Sequence, residues 1–172
     1  KMGRGNLIKF EAPNFIPSDT CDPYFQPHVA AALTSILQDH PHLEMRVNSA
    51  YRSCVRQALI WQFYRRGMNG ITLAARVGNS NHEDGCALDI ENWQVWKPIL
   101  IAARWRWQGE KDPMHLELPP REDIAILSIK SFQSVHNEIF PSDKIAVDGV
   151  WGPTTEAAFL RCPANGGLIL IP

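Results

Sequence analysis

Long apolar runs, net charge and paired cysteine motifs are all scarce in this chain of 172 residues. No apolar stretch approaches the roughly 20 residues that span a bilayer, which excludes an integral membrane protein of the helical kind. The opening "KMGRGNL" lacks the apolar core of a secretory leader, although a mature or trimmed product would look the same. The formal net charge is −1, too little to hold nucleic acid or an anionic membrane by electrostatics. Four cysteines are present, Cys21, Cys54, Cys86 and Cys162. None forms a Cys-x-x-Cys pair, so a thiolate zinc site and a thioredoxin-type redox motif are excluded. Four cysteines allow three full pairings, and the sequence does not choose between these, a partial pairing and free thiols; an oxidising compartment favours disulfides. Internal repeats and low-complexity segments are also missing. What remains is 45% hydrophobic and 20% charged, the make-up of an ordinary globular chain long enough for one average domain and a small second one.

Periodicity sketches the elements. Pro13, Pro17, Pro23 and Pro27 break up the first 26 residues, which read as an irregular segment lying over the core. Val29, Leu33, Ile36 and Leu37 recur at helical spacing after Pro27, a residue suited to a first helical turn. "LEMRVNSAYR" reads as a strand leading into a functional loop. A second helix is expected from about Ser53 to Arg66, with Val55, Leu59 and Phe63 on one face and Gly67 as its stop. "NGITLAARVGNSNHEDG" is a long polar loop, of a length that compact domains keep for function or leave unstructured. "CALDIE" reads as a short strand, residues 92–104 as a third helix irregular at Pro98, and "MHLEL" as another short strand. Pro119-Pro120 marks a break. Beyond it, Ile124, Leu127, Phe132, Val135 and Ile139 fall on one helical face, and a turn-rich stretch leads to a short helix. The expected architecture is α+β, with a domain over 1–119 and a helical module over 120–172.

The stretch "SNHEDGCALDI" carries the chemistry. His82 stands in a polar loop, and seven residues later Asp89 stands in an otherwise apolar strand. A buried carboxylate needs a partner, and a metal ion would be one. Gly85 permits a turn tight enough to bring His82 back over Asp89. His115, at the entry to the strand "MHLEL", offers a third ligand. Three residues before it, Asp112 offers a carboxylate to take a proton from water. Two His and one Asp, with the fourth position left open, are the donor set of a catalytic zinc site. Each pair alone is common in loops that bind nothing; the combination is what points to a metal.

That combination resembles the Ser-x-His-x-x-Gly-x-Ala-x-Asp motif of VanY-type D-alanyl-D-alanine carboxypeptidases and of the related L-alanyl-D-glutamate endopeptidases, zinc proteins of the hedgehog and D-Ala-D-Ala peptidase group. "SAYRS" with Gln57, "AARVGNSNH" and "WRWQGEKDPMHLEL" resemble further family segments, in the family's order over residues 46–118. The resemblance implies a small antiparallel sheet with flanking helices. It implies one zinc per chain held by His82, Asp89 and His115, with Asp112 as general base and Arg52 stabilising the oxyanion. Ser80 and Gln57 would hold substrate or the loop. The implied substrate is the peptidoglycan stem peptide, met outside the cytoplasm by what is expected to be a monomer without nucleic-acid or membrane partners. Many carboxypeptidases of the group have Glu where this chain has Asp112. The Asp form is more familiar among the endopeptidases, so both specificities stay open, as does a zinc-containing binding protein without turnover. The 105–112 interval also lacks an insertion common in relatives.

Residues 124–160 resemble a peptidoglycan-binding module, through Asp148, Gly149, Gly152, Pro153 and Thr155. The same residues are explained by packing, with glycines for the turn and Pro-Thr for the helix start. Trp93 and Trp96 read as helix-face packing, and at least one of Trp105 and Trp107 as core. Glu117 reads equally as a partner of the site or an exposed strand residue, and His28, His40, His42 and His136 as surface residues.

Overall fold

In the computed structural model of the chain, residues 6–120 and 122–162 are described. Their contacts divide into two units. One holds the chain up to Arg52 together with Ser80–Ile124. The other holds Ser53–Asn79 and the chain from Ala125 onward. The expected division after residue 119 differs from this grouping chiefly over residues 53–79, which it assigned to the first domain.

The first unit is built on a five-stranded sheet. The strands are β2 (Phe15–Pro17), β4 (Met45–Ser49), β5 (Ala87–Ile90), β6 (Arg106–Trp107) and β7 (His115–Glu117), in the order β2-β4-β5-β7-β6. A separate antiparallel pair joins β1 (Ile8–Lys9) to β3 (Tyr24–Phe25). The proline-rich N-terminal segment is therefore not merely irregular cover. It supplies three short strands, and β2 runs parallel to β4, so the sheet is mixed rather than wholly antiparallel. Pro17 fits because it ends an edge strand, where a missing N–H costs no central ladder bond.

Helix α1 (Pro27–Asp39) starts at Pro27 and buries Val29, Ala30, Leu33, Ile36 and Leu37, the apolar stripe its spacing predicts. Helix α3 (Trp93–Ala102) contains Pro98 and buries Trp96 and Leu100. Both helices contribute to one core with Met45, Val47, Leu88, Ile90, Trp105 and Leu116. Phe10, Phe15 and Phe25 close it with edge-to-face contacts of 5.0–6.2 Å between ring centroids. Burial of Leu88, Ile90 and Leu116 turns the alternate residues Asp89, His115 and Glu117 to the opposite face of the sheet.

The second unit packs α2 (Cys54–Arg65), α4 (Ala125–Ile139) and α5 (Pro153–Arg161) around Cys54, Ala58, Val77, Ile129 and Phe159. Ser53 caps α2, its Oγ accepting from the Arg56 N–H at 3.3 Å, and Gly67 at φ +62° follows its end. The buried faces of α2 and α4 are not the expected ones. On α2 they are Cys54, Gln57, Ala58 and Gln62, with Val55, Leu59 and Phe63 only half-buried. On α4 they are Ala125, Ser128, Ile129, Gln133 and His136, while Leu127, Val135 and Ile139 are exposed. Polar side chains take inner positions because each serves a backbone group there. Ser128 Oγ accepts from the Cys54 N–H at 2.9 Å. Gln133 donates to Val150 O at 3.1 Å and accepts from Gly149 N at 2.9 Å. His136, expected at the surface, is buried and donates through Nε2 to Asp143 O at 2.8 Å. His42 is exposed, and His28 and His40 are half-buried. All four cysteines are free; Cys21, Cys54 and Cys86 are buried, and burial first of all pushes the Cys86 thiol up to about 12.

Candidate metal centre

Strand register assembles the centre. β5 lies between β4 and β7, with Asp89 opposite His115 on one side and opposite Ser49 on the other. The β4–β5 register shifts between Val47 and Ser49. That irregularity brings Ser49 opposite Asp89 although Val47, two residues earlier, points into the core. His82 arrives from the loop. Its carbonyl accepts from Gly85 N and from Arg52 N, both at 3.1 Å, which ties the turn to the end of β4. Gly85 has φ +65°, and a Cβ there would lie 2.5 Å from Leu7 Cδ2 and 3.3 Å from Phe25 Cα and Tyr24 O. Glycine is required twice over, by backbone conformation and by close approach.

His82 Nε2, Asp89 Oδ1 and His115 Nδ1 form a triangle with all three sides 3.2 Å. Among the described residues, this group has ligand atoms close enough to hold a metal ion. Tetrahedral bonds of about 2.0–2.1 Å place donor atoms about 3.3–3.4 Å apart, so one small ion fits above the triangle with little movement. The tautomers suit it. His82 Nδ1–H donates to Ala50 O at 2.6 Å, leaving Nε2 with a lone pair towards the triangle. His115 Nε2–H donates to Glu117 Oε2 at 3.2 Å. Glu117 is held in turn by Asn81, whose amide donates to the same oxygen at 2.6 Å. A carboxylate behind a ligating histidine fixes the ring and raises its basicity.

The electrostatics agree with a site that lacks its cation. Burial holds His82 below the usual imidazole value despite the pull of Asp89, so it stays neutral and ready to ligate. Burial opposes charge on His115 too, but hydrogen bonds with Asp89 and Glu117 lift it to about 9, and a proton sits where a metal would. Burial favours neutral Asp89, yet the two histidines and Arg52 hold it well below the usual carboxylate range.

Arg52 binds the other oxygen of Asp89, Oδ2, through Nη2, and its Nε donates to Ser49 Oγ at 2.9 Å. The guanidinium is thus fixed at the edge of the triangle. Asp112 is half-buried, in a turn where His115 N donates to Asp112 O at 3.1 Å. Burial, then the charge of Asp89, raises its pKa. Trp107 braces this turn: its indole N–H donates to Pro113 O at 2.9 Å, and its ring stacks on Trp93 with Lys97 Nζ 3.1 Å from its centroid.

The two softer candidates make contacts within loops. Ser80 is buried, with its N–H 3.4 Å from Glu83 Oε2 and its carbonyl accepting from Glu83 N at 2.8 Å. Gln57 lies in the other unit, where its amide donates to Ala75 O at 2.9 Å. Sequence reasoning missed Asn81, Ser49 and the Ala50 carbonyl. Asn81 adjoins His82 in the motif, and nothing in its residue type separates it from any other loop asparagine.

A mixed sheet carrying two His and one Asp around a space for one small ion, with a braced carboxylate and an arginine beside it, has the parts of a metallohydrolase centre. The family model for VanY, D-alanyl-D-alanine carboxypeptidase, matches residues 22–110, more than half of the chain. The chain belongs to this family of peptidases. The matched span includes Arg52, Gln57, Ser80, His82 and Asp89 and ends before Asp112 and His115. No curated protein matches the chain significantly.

Proposed function

We propose that the chain is a zinc-dependent peptidase that hydrolyses a peptide bond in the peptidoglycan stem peptide. The observation that carries this is the 3.2 Å triangle of His82 Nε2, Asp89 Oδ1 and His115 Nδ1 in a member of the VanY family. Two nitrogens and one carboxylate oxygen favour zinc over calcium or magnesium, which prefer all-oxygen sets. The hedgehog and D-Ala-D-Ala peptidase type of fold belongs to the same reading.

A bound zinc ion would supply Lewis acidity to the attacking water and the scissile carbonyl. The protein groups do the rest. Asp112, its basicity raised by burial and Asp89, takes a proton from the water and passes it to the leaving amine. Arg52, anchored on Ser49 and Asp89, presents its guanidinium to the carbonyl oxygen as negative charge develops there. Glu117, with Asn81, keeps the His115 ring oriented. A half-buried base beside the centre supports turnover over a purely binding role. Ser80 and Gln57 are proposed to shape the substrate loop.

The description of the family favours removal of a terminal D-alanine, whereas Asp112 in place of Glu resembles the endopeptidase relatives. Both bonds belong to the same peptide, outside the cytoplasm. Mass spectrometry of muropeptides after digestion distinguishes them. Loss of one alanine marks the carboxypeptidase, and a cut within the stem marks the endopeptidase. Unchanged muropeptides with zinc-loaded protein would contradict the proposal.

A further inference from the structure

The second unit contains a cleft that the metal centre does not use. Its volume is about 530 Å³, and its lining includes Trp61 and Arg65 of α2, Arg76 and Asn79 of the following loop, and Trp151 and Glu156 at the start of α5. That volume lies within the ordinary range for small-ligand sites, about 300–1,000 Å³. We propose that this cleft binds a saccharide, an N-acetylated aminosugar segment of the peptidoglycan glycan.

The chemistry of the walls argues for a sugar over an anion. A sugar ring presents apolar C–H faces and, around its rim, hydroxyls that both donate and accept. The cleft offers two indoles for the faces. For the rim it offers donors on Arg65, Arg76 and Asn79 and acceptors on Glu156 and Asn79. A site for a phosphate or an acidic peptide would not place a carboxylate among its arginines. Here Arg65 Nη1 lies 3.4 Å from Glu156 Oε1, so part of the positive charge is already answered.

The walls are held before any ligand arrives. Trp151 packs against Phe132 and Phe159, with centroids 5.3 and 5.6 Å away. Trp61 packs against Tyr64 at 5.5 Å, with the Arg76 guanidinium 5.8 Å over its ring. Buried Gln62 donates to Glu156 Oε1 at 2.7 Å and fixes that carboxylate. Fixed walls reduce the ordering cost of binding. Gly152, which also lines the cleft, adds an independent observation. Its backbone is extended, at φ −92° and ψ −177°, and a Cβ there would meet nothing within 4 Å. Neither backbone conformation nor packing requires glycine, so what its bareness leaves is space in the cleft.

The identity of the sugar, though not the existence of the site, rests on the peptidoglycan reading. The test is a binding titration of the full chain, followed by nuclear magnetic resonance. The probes are glycan strands freed of stem peptides, the N-acetylglucosamine trimer and, as the contrasting arm, free stem peptide. Shifts confined to residues around Trp61, Trp151 and Asn79 with either glycan probe are expected. Gly152→Leu, which fills the space from an open position, and Trp61→Ala, which removes one wall, should each weaken binding at least about tenfold, or about 1.4 kcal/mol. Hydrolysis of a small soluble muropeptide should stay unchanged in Gly152→Leu, so failure of this site and failure of the peptidase reading are separately visible. No glycan shifts in the wild-type chain, binding of stem peptide alone at these residues, or full glycan affinity in Gly152→Leu would each overturn the proposal.

Discussion

At the residue scale, the centre sorts its carboxylates by surroundings. Asp89 faces two histidines and Arg52 and stays ionised, whereas Asp112 is pushed up by burial and by Asp89 itself. One is suited to hold a cation and the other to carry a proton. Asp112→Asn keeps the size and removes the base. Metal binding should survive, and hydrolysis should fall by about 10²–10⁴, as read by muropeptide turnover beside metal content. His115 gives a pH signature. In the metal-free chain its pKa is lifted from 6.5 to about 9. Its stabilising contribution is therefore full below about pH 6.5 and is lost as pH rises through about 9. Melts of chelator-treated protein should show a lower midpoint at pH 9.5 than at pH 6. Metal must displace the same proton, so affinity for metal should rise over that interval.

At the element scale, sequence and structure agree where one apolar stripe meets one core. Helix α1 follows Val29, Leu33, Ile36 and Leu37 from its Pro27 start to Asp39, and the strands holding Asp89 and His115 lie where the motif implies. The sequence misleads where buried polar groups hold backbone. Gln133, Ser128 and His136 look like solvent-facing residues of α4 until the Cys54 N–H, the 149–150 turn and the Asp143 carbonyl are seen against them. The β4 register shift at Ser49 was equally hidden, since it follows from pairing rather than composition. The turn between His82 and Asp89 was legible because Gly85 is demanded by its own conformation. Gly85→Ala meets a left-handed φ and two backbone contacts at 3.3 Å. It should cost about 1–3 kcal/mol, seen as a lower thermal midpoint together with weaker metal binding.

At the scale of the whole molecule, the chain order and the contact order differ. Residues 53–79 lie between segments of the first unit in sequence and pack with the segment after Ala125. A chain cut after residue 120 would keep α2 and its loop but lose Ile129 and Phe159 from the core around Cys54, Ala58 and Val77. Each large apolar side chain withdrawn removes about 1.5–3 kcal/mol of burial, against a total stability of about 5–15 kcal/mol. The truncated chain should aggregate or melt without a cooperative transition. A cooperative melt near the full-length midpoint would instead show the C-terminal segment to be a separable module.

The central claim is that His82, Asp89 and His115 hold one catalytic zinc ion. Calorimetric titration of the chelator-stripped chain with zinc tests it most directly. The account predicts saturation at about one ion per chain, with strong weakening in His115→Ala. An absence of zinc uptake, or uptake undiminished when His115 is replaced, would contradict it.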